Sequence, residues 1–302
     1  MQEKTISIAI PTYNRDRALV DTIEQVLLQR HFLLEILVID QSESHVAETE
    51  KYLNRKIDSG EIRYIFQSHP NLPAARNRAL KETKADILIF IDDDVVLGKN
   101  FVEEHWKNYR DDTVAAVAGK VTQRLSWSQI RKPKMWNKYL DYRYFSLESD
   151  NRVAGVANFL GCNHSILVRL AKLLGGYDDN YVGTGLREET DMAIRLVKAG
   201  HMIIYNPLSA LYHLAAPSGG CRKAHIYDDT AGRSLLYFAV KHLDVLKLDV
   251  FYDFKLAFRV MVLNRQNIKR PFVLLYMAWK YISLFVFFLL KRAGFYNNYN
   301  YK

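Results

Sequence analysis

Residues 86–97, Asp-Ile-Leu-Ile-Phe-Ile-Asp-Asp-Asp-Val-Val-Leu, hold the side chains best suited to chemistry. Ile87 to Ile91 run apolar without a break, and Asp92, Asp93 and Asp94 follow at once. Such a run reads as a strand buried on both faces of a parallel sheet. Three carboxylates cannot continue it, because burying unpaired charge is costly. They belong at its C-terminal end, where open α/β sheets place their ligands. Alternation puts Asp92 and Asp94 on one side and Asp93 on the other. Two hard oxygen ligands so spaced suit Mg2+ or Mn2+ shared with a diphosphate. Alone, the triplet reads equally well as an acidic turn or a helix N-terminus, so its neighbours must decide.

The elements that would position these acids alternate. Strands are predicted at residues 5–10, 35–40, 62–66 and 86–91. Helices are predicted at 17–29, with Leu19, Ile23, Val26 and Leu27 at helical spacing, at 46–57, and from 72 onward, with Pro73 in the first turn. This alternation is the signature of a right-handed parallel α/β sheet. The first strand runs into the turn Pro11-Thr12-Tyr13-Asn14 and the second ends on Asp40. These two tips and the triplet share one edge and make one cleft. No GxGxxG follows the first strand, so a dinucleotide site is not indicated. Further on come a helix at 100–109, a strand at 114–119 and strand-like patterning at 156–168. A turn at 175–179, a helix at 187–200 that starts on acids, and two short strands at 202–205 and 210–213 follow. The irregular stretch 123–152, with Trp127, Trp136, Tyr139, Tyr142, Arg143 and Tyr144, reads as a lid or acceptor-binding insertion, or as a satellite core.

The chain has 302 residues, 49% hydrophobic and 25% charged, enough for one large domain or a domain with an appendage, and too apolar for disorder. Lys and Arg number 42 against 33 acids, a net +9 that suggests an anionic partner: nucleotide phosphates, phospholipid or nucleic acid. Cys162 and Cys221 form no CxxC pair and neither stands beside a set of closely spaced His ligands, which argues against zinc and fits a reducing compartment; no apolar leader opens the sequence. From residue 228 the pattern is helical. Residues 272–290 are interrupted only by Lys280 and Ser283 and are flanked by Lys269-Arg270 and Lys291-Arg292. As a helix this segment is about 28 Å long. It can cross a membrane, lie on an anionic leaflet or pack on the protein; association with a membrane is favoured, lying and crossing both staying open.

Five motifs occur in order: Ile8-Ala-Ile-Pro-Thr-Tyr-Asn14; Val38-Ile-Asp40 with Ser42; Asn71-Leu-Pro-Ala-Ala-Arg-Asn77; Phe90-Ile-Asp-Asp-Asp-Val95; and Glu188-Glu-Thr-Asp-Met192. The ordered set resembles the inverting family 2 glycosyltransferases with the GT-A fold, over roughly residues 5–215. The resemblance implies an α/β, mostly parallel Rossmann-like sheet flanked by helices. A catalytic domain would occupy 1–225 and a helical C-terminal region 226–302. It implies that Pro11, Thr12 and Asn14 shape the nucleotide pocket, that Asp40 accepts hydrogen bonds from base or ribose, and that Arg76 lines the same site, with Arg15 a weaker candidate for phosphate. Asp92-Asp93-Asp94 match the DxD motif. Asp94 would ligate the metal, Asp92 would touch the ribose or the metal's water shell, Asp93 would help place the sugar, and His213 would complete the metal site. The family's Glu-Asp-x-Asp base motif stands here as Glu188-Glu189-Thr190-Asp191, so the base would be Glu189, one methylene longer than usual, with Glu188 and Asp191 as rivals. Gly161-Cys162-Asn163 and Gly176-Tyr177-Asp178 match segments that contact donor sugar or acceptor.

The expected activity is a single displacement moving a sugar from a UDP- or dTDP-sugar to a hydroxyl of a saccharide or lipid-linked acceptor, with Mn2+ or Mg2+. The expected place is the cytoplasmic face of a membrane, and the expected role is bacterial envelope polysaccharide synthesis. One rival is a sugar-phosphate nucleotidyltransferase, which should carry a Gly-rich basic loop after the first strand. A second is a module binding nucleic acid or membrane, which leaves acids at three separate sites unexplained; nucleic acid is not an expected partner.

Overall fold

The computed structural model describes residues 3–123, 135–136, 139–140, 147–183, 185–216, 218–220, 229–244, 251–264 and 267–294. Its strands are β1 (Ile6–Thr12), β2 (Ile36–Asp40), β3 (Arg63–Phe66), β4 (Ile87–Ile91), β5 (Val95–Leu97), β6 (Val114–Gln123), β7 (Met135–Trp136), β8 (Tyr139–Leu140), β9 (Val153–Ala154), β10 (Asn163–Leu167) and β11 (Met202–His213). Its α-helices are α1 (Arg17–Leu27), α2 (Ala47–Asp58), α3 (Leu72–Glu82), α4 (Phe101–Trp106), α5 (Val168–Leu173), α6 (Glu188–Lys198), α7 (Asp229–Lys241), α8 (Phe251–Met261) and α9 (Pro271–Arg292). Trp127, Tyr142, Arg143 and Tyr144 of the expected insertion, and Cys221, lie outside the described residues.

The chain divides into two compact units, Met1–Tyr177 with Glu189–Gly220, and Asp178–Glu188 with Cys221–Lys302. The second unit therefore includes a short segment well ahead of the division at residue 225 expected from the sequence.

In the first unit nine strands form one sheet, in the order β3-β2-β1-β4-β10-β6-β11-β5, with β9 also on β11. The half from β3 to β4 is parallel, and β4 and β1 are buried along their whole length, as strands covered by helices on both faces must be. α1 covers it with Leu19, Ile23 and Val26, and α3 starts where the Asn71 side chain accepts from the Ala74 amide at 2.9 Å. β10 then enters antiparallel between β4 and β6, so the second half is mixed. The two strands expected at 202–205 and 210–213 are one strand, β11, with a register break between Asn206 and Ala210. Pro207 explains the break, because it offers no N–H to the ladder.

Three consecutive polar residues of β10 are buried in this sheet, and each is satisfied. Asn163 donates to the carbonyls of Lys120 and Ser209 at 2.9 Å each, and its Oδ1 lies 2.9 Å from His105 Nε2. His164 lies between the Leu160 carbonyl at 2.9 Å and the Tyr177 hydroxyl at 2.6 Å. Ser165 Oγ meets His105 Nδ1 at 2.9 Å and the Tyr109 hydroxyl at 2.8 Å. Burial pushes His105 down to about 4, so it sits here as a neutral imidazole. The amide of Asn163 passes so close to Gly119 that a Cβ there would lie 2.3 Å from it. Asn163, the last residue of the matched segment Gly161-Cys162-Asn163, is thus a girder joining β10, β6 and β11.

The second unit packs α7, α8 and α9 through Leu235, Leu236, Val240, Ala257, Met261, Leu284 and Phe288. Buried Asp253 pairs with Arg187 at 3.1 Å. Asp178 accepts from Lys241 at 2.6 Å and from the Tyr237 hydroxyl at 2.8 Å, which fixes the segment that follows Gly176-Tyr177.

Candidate active site

β5 begins directly after the acidic triplet and pairs antiparallel with the end of β11, placing Val95 opposite His213. This register brings a histidine from far along the chain onto the tip of β4. Its Nε2 lies 3.1 Å from Asp94 Oδ1 and 3.6 Å from Asp92 Oδ2. Asp92, Asp94 and His213 each offer one ligand atom, all within 4.8 Å of one another. His213 Nδ1 lies 3.4 Å from Gln123 Oε1, which suits an N–H donated there and leaves Nε2 toward the acids. Two carboxylates and an imidazole at this spacing fit a divalent cation such as Mn2+ or Mg2+.

Asp94, 1% exposed, is also gripped from behind. Its Oδ2 accepts from the Ala216 amide at 2.7 Å and from Arg15 at 3.3 Å, so Oδ1 is the oxygen turned to His213. Burial works against the carboxylate, but His213, the Ala216 amide and Arg15 together hold Asp94 below its ordinary pKa. Burial pushes Asp92 the other way, with His213 opposing and Asp94 adding to the rise. Asp93, just past the end of β4, has partners of its own. Thr12 Oγ1 donates to it at 2.7 Å, and Arg15 Nε is 3.3 Å away. Burial raises it to about 7 against the pull of Arg15 and Thr12. Both carboxylate oxygens of Asp93 are therefore occupied within the protein. Thr12 and Arg15 thus hold Asp93, and Arg15 bridges Asp93 and Asp94.

At the neighbouring tips, Thr12 lies in register with Asp40. Asn14 turns the chain at a φ of 52°, a conformation Asn tolerates, and its amide donates to Ser42 Oγ at 2.8 Å. Asp40 is fully buried. Its Oδ1 accepts from the Ser42 amide at 2.7 Å, and its Oδ2 meets the Tyr64 hydroxyl at 2.8 Å and His45 Nε2 at 2.5 Å. His45 Nδ1 is also 3.2 Å from Asp16. Burial disfavours the imidazolium, but Asp40 and Asp16 outweigh it and raise His45 above its usual value.

Arg76 lies beside the acidic tip. It is 1% exposed, its guanidinium stands over the Tyr177 ring at 5.6 Å, and a Cβ on Gly161 would come within 2.4 Å of it. Glycine at 161 is what admits the charge there. Burial, with the charges of Asp92 and Glu189 adding to it, pushes the Cys162 thiol well up, which keeps it a protonated core group.

The three acids proposed for the base separate by environment. Asp191 is fully buried and pairs with Arg195 at 2.8 Å; Arg195 in turn donates to the carbonyls of Leu174 and Gly176. Glu188 is 1% exposed. Of the three, Glu189 alone is partly open to solvent.

Residues 7–173 match the model of the family Glycosyl transferase family 2. The chain belongs to that family. The family assignment sets aside the nucleotidyltransferase and simple binding-module readings. Hyaluronan synthase from Streptococcus pyogenes is 28% identical over 166 residues, 52% of this chain and 38% of that protein. Pre-mycofactocin glycosyltransferase from Mycobacterium tuberculosis is 25% identical over 187 residues, 60% and 37%. The chain thus spans well under half the length of these relatives. Among solved structures, it is similar to the mannosyltransferase PcManGT from Pyrobaculum calidifontis in complex with GDP-Man and Mn2+. The TM-score is 0.61 and the identity 16%, covering 97% of this chain and 87% of that one. S. aureus TarS 1-349 in complex with UDP-GlcNAc gives a TM-score of 0.62 at 13% identity, covering 93% and 81%. These likenesses show the GT-A fold.

Two neighbours of the family 2 motif residues carry no clear signal in the sequence. His45 is a lone histidine five residues after Asp40, in the loop before α2, and spacing gives it no partner. Tyr64 registers with Val38, two positions before Asp40 and so on the same face of the sheet. That same-face register is its only signal.

Proposed function

We propose that this chain is a metal-dependent inverting glycosyltransferase. It moves a sugar from a nucleotide donor, a UDP- or dTDP-sugar, to a hydroxyl of a saccharide or lipid-linked acceptor. The observation that carries the reading is the Asp92–Asp94–His213 cluster at the tip of β4, with Glu189 the partly open acid of the three that open α6. Asp92, Asp94 and His213 would hold the cation, which when bound neutralises charge on the departing diphosphate.

The chain's own residues do the rest. Pro11, Thr12, Asn14 and Asp40 form the nucleotide end of the cleft, with Asp40 held rigid by Ser42, Tyr64 and His45. Arg76 places a fixed positive charge beside Asp92 and Gly161, where a sugar diphosphate would lie. Glu189 takes the proton of the acceptor hydroxyl as its oxygen attacks the anomeric carbon opposite the leaving diphosphate, a single displacement that inverts that centre. Asp191 orders the turn beneath it through Arg195. The catalytic and C-terminal regions would divide near residue 225. The C-terminal region would attach the enzyme to the cytoplasmic face of a membrane, in keeping with the long apolar α9.

The test is a thermal-shift panel of nucleoside diphosphates with Mn2+ or Mg2+, followed by transfer assays on the nucleotide that binds. A ligand that binds only the folded state raises the midpoint. Asp94→Ala should remove the cation-dependent shift and transfer while the protein stays folded. Full transfer by that variant overturns the reading.

A further inference from the structure

α9 has two apolar faces. Leu284 and Phe288 are buried against α7 and α8, with Leu274, Met277 and Tyr281 packed beside them. On the other side, Phe272, Leu275, Tyr276, Trp279, Ile282 and Val286 are exposed, Phe272 by 86% and Trp279 by 64%. They recur every three or four residues, so they form one stripe. Where α8 and α9 meet, Phe254, Phe258, Leu263, Ile268 and Tyr281 line a groove of about 610 Å³, with Lys255 and Arg259 on its wall. Lys255, Arg259, Lys269 and Arg270 are all exposed. α9 carries no acid, and the one acid of α8, Asp253, is buried against Arg187. An apolar stripe and groove rimmed by charge of one sign is complementary to an anionic lipid surface, apolar inside and negative at its edge.

We propose that this face is an in-plane docking surface for a membrane leaflet bearing anionic phospholipid. α9 lies along the interface rather than crossing it, and the groove takes an acyl chain whose phosphate meets Lys255 and Arg259. The proposal rests on the membrane attachment proposed above and adds its geometry and its lipid. Crossing is disfavoured by the inner face of α9. A helix that spans would either strip away from Leu235, Val240 and Met261 or carry α7 and α8 with it into hydrocarbon, taking Lys255, Arg259 and the Arg187–Asp253 pair along. A second copy of the chain is a poorer occupant, because a two-fold pairing of this face would set basic rim against basic rim.

The experiment uses the whole chain and vesicles of phosphatidylcholine with and without phosphatidylglycerol. Flotation should show binding only to vesicles containing phosphatidylglycerol, weakened by salt and released by alkaline carbonate. Lys255→Gln and Arg259→Gln should each lower partitioning by roughly fivefold. Lipids brominated at graded depths should quench the fluorescence that Trp279→Phe removes, most strongly from shallow positions, about 5–10 Å below the headgroups. Deep quenching with resistance to carbonate overturns the in-plane geometry, and equal binding to neutral vesicles overturns the anionic site. Self-association abolished by Ile282→Glu, without vesicle binding, assigns the stripe to a second copy and overturns the proposal. No vesicle binding while nucleoside diphosphate and Mn2+ still shift the melting point sinks this surface alone. Vesicle binding with no nucleotide response at all sinks the transferase reading and leaves this one standing.

Discussion

Glu189→Gln and Asp191→Asn should have opposite signatures, and together they test the assignment of the base. Glutamine keeps the shape of Glu189 but cannot accept the acceptor's proton. General-base catalysis contributes about 10²- to 10⁴-fold, which is about 2.7–5.4 kcal/mol of barrier at 1.36 kcal/mol per decade. Glu189 is partly exposed, so its replacement should leave the melting temperature nearly unchanged. Asp191 is fully buried against Arg195, whose side chain is 18% exposed. Breaking a fully buried pair costs about 3–5 kcal/mol. Because Arg195 keeps its bonds to Leu174 and Gly176 and some access to water, a loss of about 2–3 kcal/mol is the better figure for Asp191→Asn. In a unit of this size that lowers the midpoint by about 5–10 °C. The assay is a steady-state measurement of kcat and KM beside a thermal melt of each variant. Glu189→Gln should lose kcat and keep its melt; Asp191→Asn should keep most of its kcat at a temperature where it is folded. If Asp191→Asn loses kcat at an unchanged midpoint while Glu189→Gln stays active, the base has been misassigned.

Asn163→Ala would leave His105 Nε2 and the carbonyls of Lys120 and Ser209 without their partner. At about 1–3 kcal/mol per stranded group it should unfold the first unit several kcal/mol more easily, with KM for the donor unchanged in whatever folds. His213→Ala and Asp94→Asn should each weaken Mn2+ binding at least tenfold by electron paramagnetic resonance of the free ion, a readout independent of turnover. His45 has a raised pKa in the folded state, so its contribution to stability is complete below about pH 6.5 and fades as pH climbs through the raised value. His45→Gln should flatten the fall in stability across that range in denaturant titrations; an unchanged slope would show that His45 does not carry it.

The parts of the site written contiguously in the chain are legible in the sequence itself. The triplet at the end of β4, the carboxylate closing β2 and the acids opening α6 each sit where a strand or helix must stop, and the order of the motifs supplies the rest. His213 is legible only through that order. The chain between gives no hint of the β5–β11 register that delivers it. Roles set by partners far along the chain are not legible. Asn163 closes a segment matched to donor or acceptor contacts, and only its neighbours in β6 and β11 show that it is a girder. Asp191 reads as a rival base, and its pairing with Arg195, one helical turn on, is not written in the motif. Pro207 sits between two apparent strands, and nothing local shows that one strand continues past it. α9 is apolar around its whole circumference, so it has no polar stripe to mark which side would find α7 and α8.

The register between β5 and β11 has a consequence for assembly. Asp92 and Asp94 follow β4 directly, but the third ligand, His213, comes from the end of β11 and reaches them only with that strand docked. A cation held by all three would bind the form with β11 docked more tightly than one without it, so added Mn2+ should slow the undocking of β11 more than that of β1–β4. Amide exchange along residues 202–213, followed with and without the ion, makes this edge of the molecule a reporter of its own completion.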